Sequence, residues 1–212
     1  MIKEYKTLAK DGFFELVEKK SRFLGYAIPC SSSAEADAFI AKIKAEHPDA
    51  RHHVFAYACG GLDGTAEVRK MSDDGEPQGT GGVPCLDVIT KKGVRCAAVV
   101  VVRYFGGILL GAPGLVRAYG KAAAGAVDDA GECTMISCRR VTVTTDYQLY
   151  GKLTRTAENS GYKMDPPVFD ENVSFSLIIP EDEAESYAAF LRDFSNAKAV
   201  VEVAEDMEYT IK

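Results

Sequence analysis

The stretch from Cys96 to Val102 holds seven apolar residues in a row, "CAAVVVV", ending in four consecutive valines. Its core, Ala97–Val102, is rich in β-branched side chains, which favour a strand. A strand that is apolar at every position, rather than at alternate ones, is buried on both faces. Such a strand belongs at the centre of a sheet. It runs into "RYFGGILLGAPG", where Gly106, Gly107, Gly111 and Gly114 crowd one loop. Pro113 then stands near the start of a helix. Leu115, Tyr119, Ala122 and Ala126 give that helix a buried face through about Asp129, with Arg117, Lys121 and Asp128 turned elsewhere.

The segments before this strand alternate between sheet and helix patterns. "GFFELVEKKSRFLGYAIP" predicts two strands around Lys19-Lys20-Ser21. "SSAEADAFIAKIKAEHP" predicts a helix with Ser33 as N-cap and Ala36, Phe39, Ile40 and Ile43 as its apolar stripe. Strands are expected at Val54–Gly60 and Ala66–Met71, and a short helix over Val83–Lys92. A boundary is expected near Gly131–Cys138, giving domains of residues 1–132 and 138–212.

The second domain has a complete pattern of its own. "CRRVTVTTDY" alternates as a half-buried strand. Asp146 is placed to cap a helix bearing Leu149, Leu153 and Ala157, and Gly161 is placed to end it. "YKMDPPVFD" and "NVSFSLIIP" read as two strands around an Asp-Glu-Asn turn. "EDEAESYAAFLRDFSNA" opens with acids suited to a helix N-terminus, and "KAVVEVAEDMEYTIK" reads as a last strand. The order βαββαβ is that of the ferredoxin-like split βαβ, so the fold class is α+β.

Composition excludes several roles. The longest strongly apolar run is these seven residues, against the ~20 that span a bilayer. The opening "MIKEYKTLAK" lacks a signal-peptide core, so the expectation is a cytoplasmic protein with no membrane partner. Cysteines at 30, 59, 85, 96, 133 and 138 form no C-x-x-C pair, and His47, His52 and His53 lack metal-ligand spacing. No metal or cofactor is expected. Residues 138–212 carry 8 Lys and Arg against 14 Asp and Glu, which accounts for the whole net charge of −6; the rest of the chain has 17 of each. An acidic balance disfavours non-specific nucleic-acid binding but leaves room for a local basic groove in the neutral part.

A second glycine-rich loop, "DDGEPQGTGG", precedes the valine strand and contains no apolar side chain except its proline. Glycine is used where φ must be positive or where a ligand approaches the backbone. A loop between a buried strand and a helix N-terminus, with Arg103, Arg117 and Lys121 nearby, suits a phosphate-type anion. The P-loop pattern fails, because Ala112 and Pro113 stand where Lys and Ser/Thr are needed, and the Rossmann pattern is absent. The plainer alternative is that Asp73, Asp74 and Glu76 pair with Arg103 and Arg117 across one groove and the glycines only make turns. Acid–base catalysis by the three carboxylates is a third reading, without an evident nucleophile. His52 reads as a structural or groove-lining residue, with His53 on the opposite face.

These residues carry a resemblance. "DDGEPQGTGGVP" with "VVVVRYFGGILLGAPGLVRAYGKA" resembles the signature of the IMPACT/YigZ family. "HPDARHHVFAYACG" is similar to its A-x-H-x-x-x-A-Y pattern, with His52, Ala56 and Tyr57 in place. The usual G-T-A-G-x-P is here Gly79-Thr80-Gly81-Gly82-Val83-Pro84, and Pro113 replaces a glycine. The resemblance implies a first domain like the second domain of a small-subunit ribosomal protein and domain IV of elongation factor G, and a second domain like domain V of that factor. Eukaryotic relatives regulate translation initiation by binding the activator of a kinase; the two-domain layout here is the bacterial one.

The expectation is therefore a non-enzymatic, translation-linked protein contacting RNA, the ribosome or a translation-factor partner. Its groove would be built from His52, Tyr57, Asp73, Asp74, Gly75, Glu76, Pro77, Gly79, Thr80, Arg103, Tyr104, Phe105, Gly106, Gly107, Gly111, Gly114, Arg117 and Lys121. The alternatives are an enzyme acting on a phosphorylated small molecule or nucleotide, and a protein–protein regulator without nucleic-acid contact.

Overall fold

The computed structural model describes residues 2–212, and the chain divides into two units, Met1–Thr134 and Met135–Lys212. In order, the first holds β1 (Glu4–Leu8), β2 (Gly12–Glu18), β3 (Ser21–Pro29), α1 (Ser33–Glu46), β4 (His52–Cys59), β5 (Val68–Ser72), α2 (Gly82–Lys92), β6 (Ala97–Tyr104) and α3 (Ala112–Ala130). The valine run is the middle strand of a five-stranded sheet ordered β2-β3-β6-β4-β5, with every neighbouring pair antiparallel. Residues 97–102 are wholly buried.

Period-two alternation sorts the sheet's side chains onto two cores. Val54, Ala56, Ala58, Ala97, Val99 and Val101 face α2 and α3. Phe55, Tyr57, Cys59, Ala98, Val100 and Val102 face α1. α3 lies so close to β2 and β3 that the sheet needs glycine beneath it. A Cβ on Gly25 would stand 2.4 Å from the Ala122 carbonyl oxygen, and one on Gly12 would stand 2.1 Å from that of Ala126. The small residues Ala118, Ala122, Ala126 and Ala130 of α3 complete this contact, all buried.

The β2–β3 hairpin turns on Lys19 and Lys20, both at positive φ, 46° and 66°. Two-residue hairpin turns of this kind prefer Asn and Gly. Holding lysine there costs on the order of 1 kcal/mol per residue.

The second unit continues with β7 (Glu132–Thr145, whose first residues belong to the first unit), α4 (Tyr147–Ser160), β8 (Lys163–Met164), β9 (Val168–Phe169), β10 (Val173–Pro180), α5 (Glu181–Phe194) and β11 (Val200–Ile211). Within it β7 pairs with β10 and β11, and β10 pairs with β8 and β9, all antiparallel. Val141, Val143, Leu153, Phe175, Leu177, Ile179, Ala188 and Leu191 form its core. Asp146 caps α4 by accepting from the Leu149 amide, and Gly161 ends it at φ 78°.

Mixed α/β architecture with antiparallel sheets agrees with the α+β expectation. Several boundaries differ. The N-cap of α1 is Ser32, not Ser33, because its side chain accepts from the Glu35 amide. β4 begins two residues earlier than expected, and β5 lies at Val68–Ser72. The strand expected over 162–170 is broken into β8 and β9, since Pro166 and Pro167 offer no N–H to a ladder. Among the described residues no helix is long and apolar enough to cross a membrane.

The glycine contacts predict two opposite outcomes in chemical denaturation. Gly25→Ala should destabilise the first unit by about 1–3 kcal/mol through overpacking against α3. Gly151→Ala, in open space within α4, should stabilise the second unit by up to about 1 kcal/mol.

Candidate functional site

The loop after β5 folds around its own carboxylates. Asp73 and Glu76 close a turn in which the Glu76 amide donates to the Asp73 carbonyl at 3.0 Å. The two central residues, Asp74 and Gly75, have φ of 44° and 88°. A second turn follows: Thr80 donates from its amide and its hydroxyl to the Pro77 carbonyl, at 3.0 and 2.6 Å, with Gly79 at φ 76°. Asp73 then accepts from three amides, Gly79 at 2.8 Å, Gly81 at 2.9 Å and Gly82 at 2.8 Å. Gly81 and Gly82 open α2, so the anion at that helix N-terminus is the chain's own carboxylate. Partial burial works against the Asp73 charge, but the three amides outweigh it and hold its pKa below the usual carboxylate value.

Asp74 turns to the other face of the sheet. It accepts from the His53 amide at 2.7 Å and from Lys44 Nζ at 3.0 Å. These outweigh its burial, and its pKa is lowered too. The Asp74 carbonyl lies 2.9 Å from His52 Nδ1. A carbonyl only accepts, so Nδ1 carries the proton, and Nε2 is left facing Glu76 Oε1 at 4.0 Å.

Glu76 is the centre of the cluster. Its Oε1 accepts from Arg103 Nη1 at 2.6 Å and from the Tyr119 hydroxyl at 2.7 Å. The side chains of Glu76 and Arg103 are 4% and 7% exposed, so this is an interior ion pair. The Arg103 guanidinium lies 5.5 Å from the Phe23 ring centroid and 5.4 Å from that of Phe105. Its Nε has no hydrogen-bond partner. Burial, then the bond to Glu76, drives the Tyr119 pKa far upward, so the phenol stays a donor.

The resemblance motifs thus converge: His52 comes from one, Glu76 from a second, and Arg103 and Tyr119 both from the third. Tyr119 was expected only as part of the buried face of α3. A buried tyrosine needs a partner for its hydroxyl, and that was the available clue.

Other expected site residues lie elsewhere. Tyr57 and Tyr104 are on the α1 face of the sheet, because they fall on the opposite parity from His52 and Arg103. Tyr57 is buried beside Phe55, and the Tyr104 hydroxyl meets His47 Nδ1 at 2.9 Å. Nor do the three acids hold both arginines: only Glu76 pairs with one, and Arg117 pairs with none of them.

Gly79 of the first glycine loop and Gly114 of the second line different cavities. α3 separates two cavities. Gly79, Val83, Pro84, Val116 and Gly120 line one, of about 250 Å³. Glu18, Lys19, Leu110, Gly114, Arg117, Ala118 and Lys121 line the other, of about 230 Å³. Helical spacing explains the division: Val116 and Gly120 share one flank, while Gly114, Arg117 and Lys121 share the other.

The glycines of the second loop serve the backbone. Gly106 donates to Ser21 Oγ at 3.1 Å and lies so close to Lys20 that a Cβ would come within 2.0 Å of its carbonyl carbon. Gly107 and Gly111 have φ of 83° and 71°, and Gly114 packs against Leu110. Gly111 is the N-cap of α3, with no side-chain cap bond, and Pro113 sits in the first turn. In the same loop Phe105, Ile108 and Leu109 are exposed. Gly81, where the family pattern has alanine, has no spare room: a methyl would stand 2.9 Å from both Val54 methyls. Burial pushes the Cys30 thiol up to about 12 and the Cys85 thiol upward as well, which disfavours the nucleophilic thiolate.

Residues 19–127 match the family model described as the Impact N-terminal domain, and residues 143–198 match one described as a domain of unknown function, DUF1949. The IMPACT family member YvyE of Bacillus subtilis (strain 168) is 36% identical over 205 residues, covering 97% of this chain and 93% of that protein. The IMPACT family member YigZ of Escherichia coli (strain K12) is 38% identical over 183 residues, covering 84% and 86%. A solved structure titled "Crystal structure of an hypothetical protein" superimposes with a TM-score of 0.66 at 30% identity, covering 97% of this chain and 100% of that one.

Two outcomes follow from the carboxylates. Glu76→Gln should cost about 3–5 kcal/mol in urea denaturation by leaving Arg103 buried without its counter-charge, and combining it with Arg103→Met should recover most of the loss. Asp73 and Asp74 have lowered pKa values in the fold, so the unfolded chain, where aspartate titrates near about 3.9, takes up their protons first. Their stabilisation is complete above that value and falls away as pH drops through the folded pKa values. Asp73→Asn should therefore show a shallower stability loss below about pH 4 than the parent chain, with faster hydrogen exchange at the Gly81 and Gly82 amides.

Proposed function

The chain belongs to the IMPACT family, and on that footing we propose that it is a non-enzymatic, translation-linked binding protein that contacts RNA, the ribosome or a translation partner through its first unit. The observation that carries this reading is the flank of α3, where Arg117 and Lys121 sit exposed beside the Lys19 turn. Among the described residues neither cation has an ion-pair partner, which leaves both available for phosphate contacts. The exposed Phe105, Ile108 and Leu109 add apolar surface in the loop that leads into the same helix. The Glu76–Arg103 pair belongs to the framework in this reading, because Arg103 is buried and already neutralised.

The finer fold names belong here too. The βαββαβ order and antiparallel pairing of the second unit support a ferredoxin-like domain over 138–212, like domain V of elongation factor G. The five-stranded sheet with helices on both faces supports a first domain over 1–132 related to domain IV of that factor. We place the protein in the cytoplasm.

Filter binding or fluorescence anisotropy with structured RNA and with ribosomes, at low salt, tests the reading. Binding is expected, and Arg117→Ala should weaken it about equally across sequences while lowering the salt slope by about one. No binding to either probe would reject RNA or ribosome contact. Turnover of a nucleotide or sugar phosphate would favour the enzymatic alternative, and nuclease-resistant capture of a translation factor would favour a purely protein–protein role.

A further inference from the structure

The cavity between the β2–β3 hairpin and α3 gathers three cations on one wall. Lys19 reaches it from the hairpin turn, and Arg117 and Lys121 reach it from one flank of α3. Among the described residues none of the three forms an ion pair within 4.0 Å. Lys6, Arg22, Lys44, Lys70, Lys91 and Lys92 of the same unit each have a carboxylate partner, while among the described residues Lys3, Lys10, Lys20 and Arg51 form no ion pair either; what sets Lys19, Arg117 and Lys121 apart is that they line one cavity together. Glu18 is the one acid in the lining and neutralises none of the three by direct contact, which leaves a formal charge of +2 on the wall. Leu110 and Ala118 supply an apolar side, and Gly114 brings the uncapped first turn of α3 to the edge. Lys19 is placed there by a turn that lysine does not favour.

We propose that this cavity binds one phosphomonoester group, the terminal phosphate of a nucleic-acid chain or of a small molecule, and not a phosphodiester backbone. A monoester carries a charge of about −1.5 to −2 at neutral pH, which matches the wall, whereas a diester carries about half of that. Arg117 supplies a forked donor, and the two lysines supply point charges from opposite sides. A cavity of about 230 Å³ closed by a hairpin on one side and a helix on the other admits a chain end more readily than a continuous strand. The assignment does not depend on the RNA reading above, since a small phosphorylated molecule would satisfy it equally.

The test uses the full chain, inorganic phosphate, a nucleoside 5′-monophosphate, and one single-stranded RNA oligonucleotide prepared with and without a 5′-phosphate. The phosphorylated oligonucleotide should bind about tenfold more tightly than its hydroxyl twin, and Arg117→Ala should erase the difference. Lys19→Gly is the sharper variant. Glycine takes the positive φ without strain, so this variant should unfold at a higher denaturant midpoint while losing the preference for the phosphate. Binding of the monophosphate but of neither oligonucleotide, with dependence on Arg117, would support the pocket, assign it to a small molecule and count against RNA contact. Equal affinity for the two oligonucleotides, both weakened by Arg117→Ala, would overturn the pocket and leave the backbone reading standing. So would a Lys19→Gly chain that is more stable and keeps its full preference for the phosphate.

Discussion

One carboxylate oxygen holds three elements of the first unit together. Glu76 Oε1 accepts from the end of β6 through Arg103 and from the middle of α3 through Tyr119, while its own backbone closes the loop that leads into α2. Buried as they are, each of these groups would be costly alone, and together they satisfy one another. The position of the loop relative to the helix is thereby tied to the chemistry of a single side chain. The aromatic rings of Phe23 and Phe105 near the guanidinium add apolar and cation–π contact.

The parity of β4 and β6 decides which polar residues of the motifs meet. His52 and Arg103 face α2 and α3; His53, Tyr57 and Tyr104 face α1. Each face has its own polar organisation. On the α1 side Asp74 joins Lys44 to the His53 amide, and His47 bridges the hydroxyls of Tyr26 and Tyr104. One loop serves both faces, since Asp74 and Glu76 are two residues apart with a turn between them that reverses the chain.

Much of this was legible in the sequence. Residues 97–102 predicted a central strand because every position is apolar, and Asp146 and Gly161 marked the ends of α4 because capping chemistry is local. That an acid of the first glycine loop meets an arginine of the second region was legible from their charges, though not which acid or which arginine. Glu76 rather than Asp73 meets Arg103 because a turn with two residues at positive φ aims the carboxylates in different directions, and no spacing rule encodes that. Tyr57 and Tyr104 stand in the motifs but not in the cluster, because strand parity turns them to the α1 face. Lys19 signals only a turn in the sequence, because its neighbours in the cavity lie about a hundred residues away in the chain.

The Asp73 cradle has a consequence for how this rim responds to anything that touches it. A nest of amides at a helix start is usually a place where an outside anion orders the backbone on arrival. Here the carboxylate is covalently supplied, so the conformational entropy of the loop is spent during folding and not during encounter. A partner meeting this edge finds a preorganised, stiff border, and the association carries little ordering cost at that point. Selectivity at such an edge comes from shape already in place and not from adaptation.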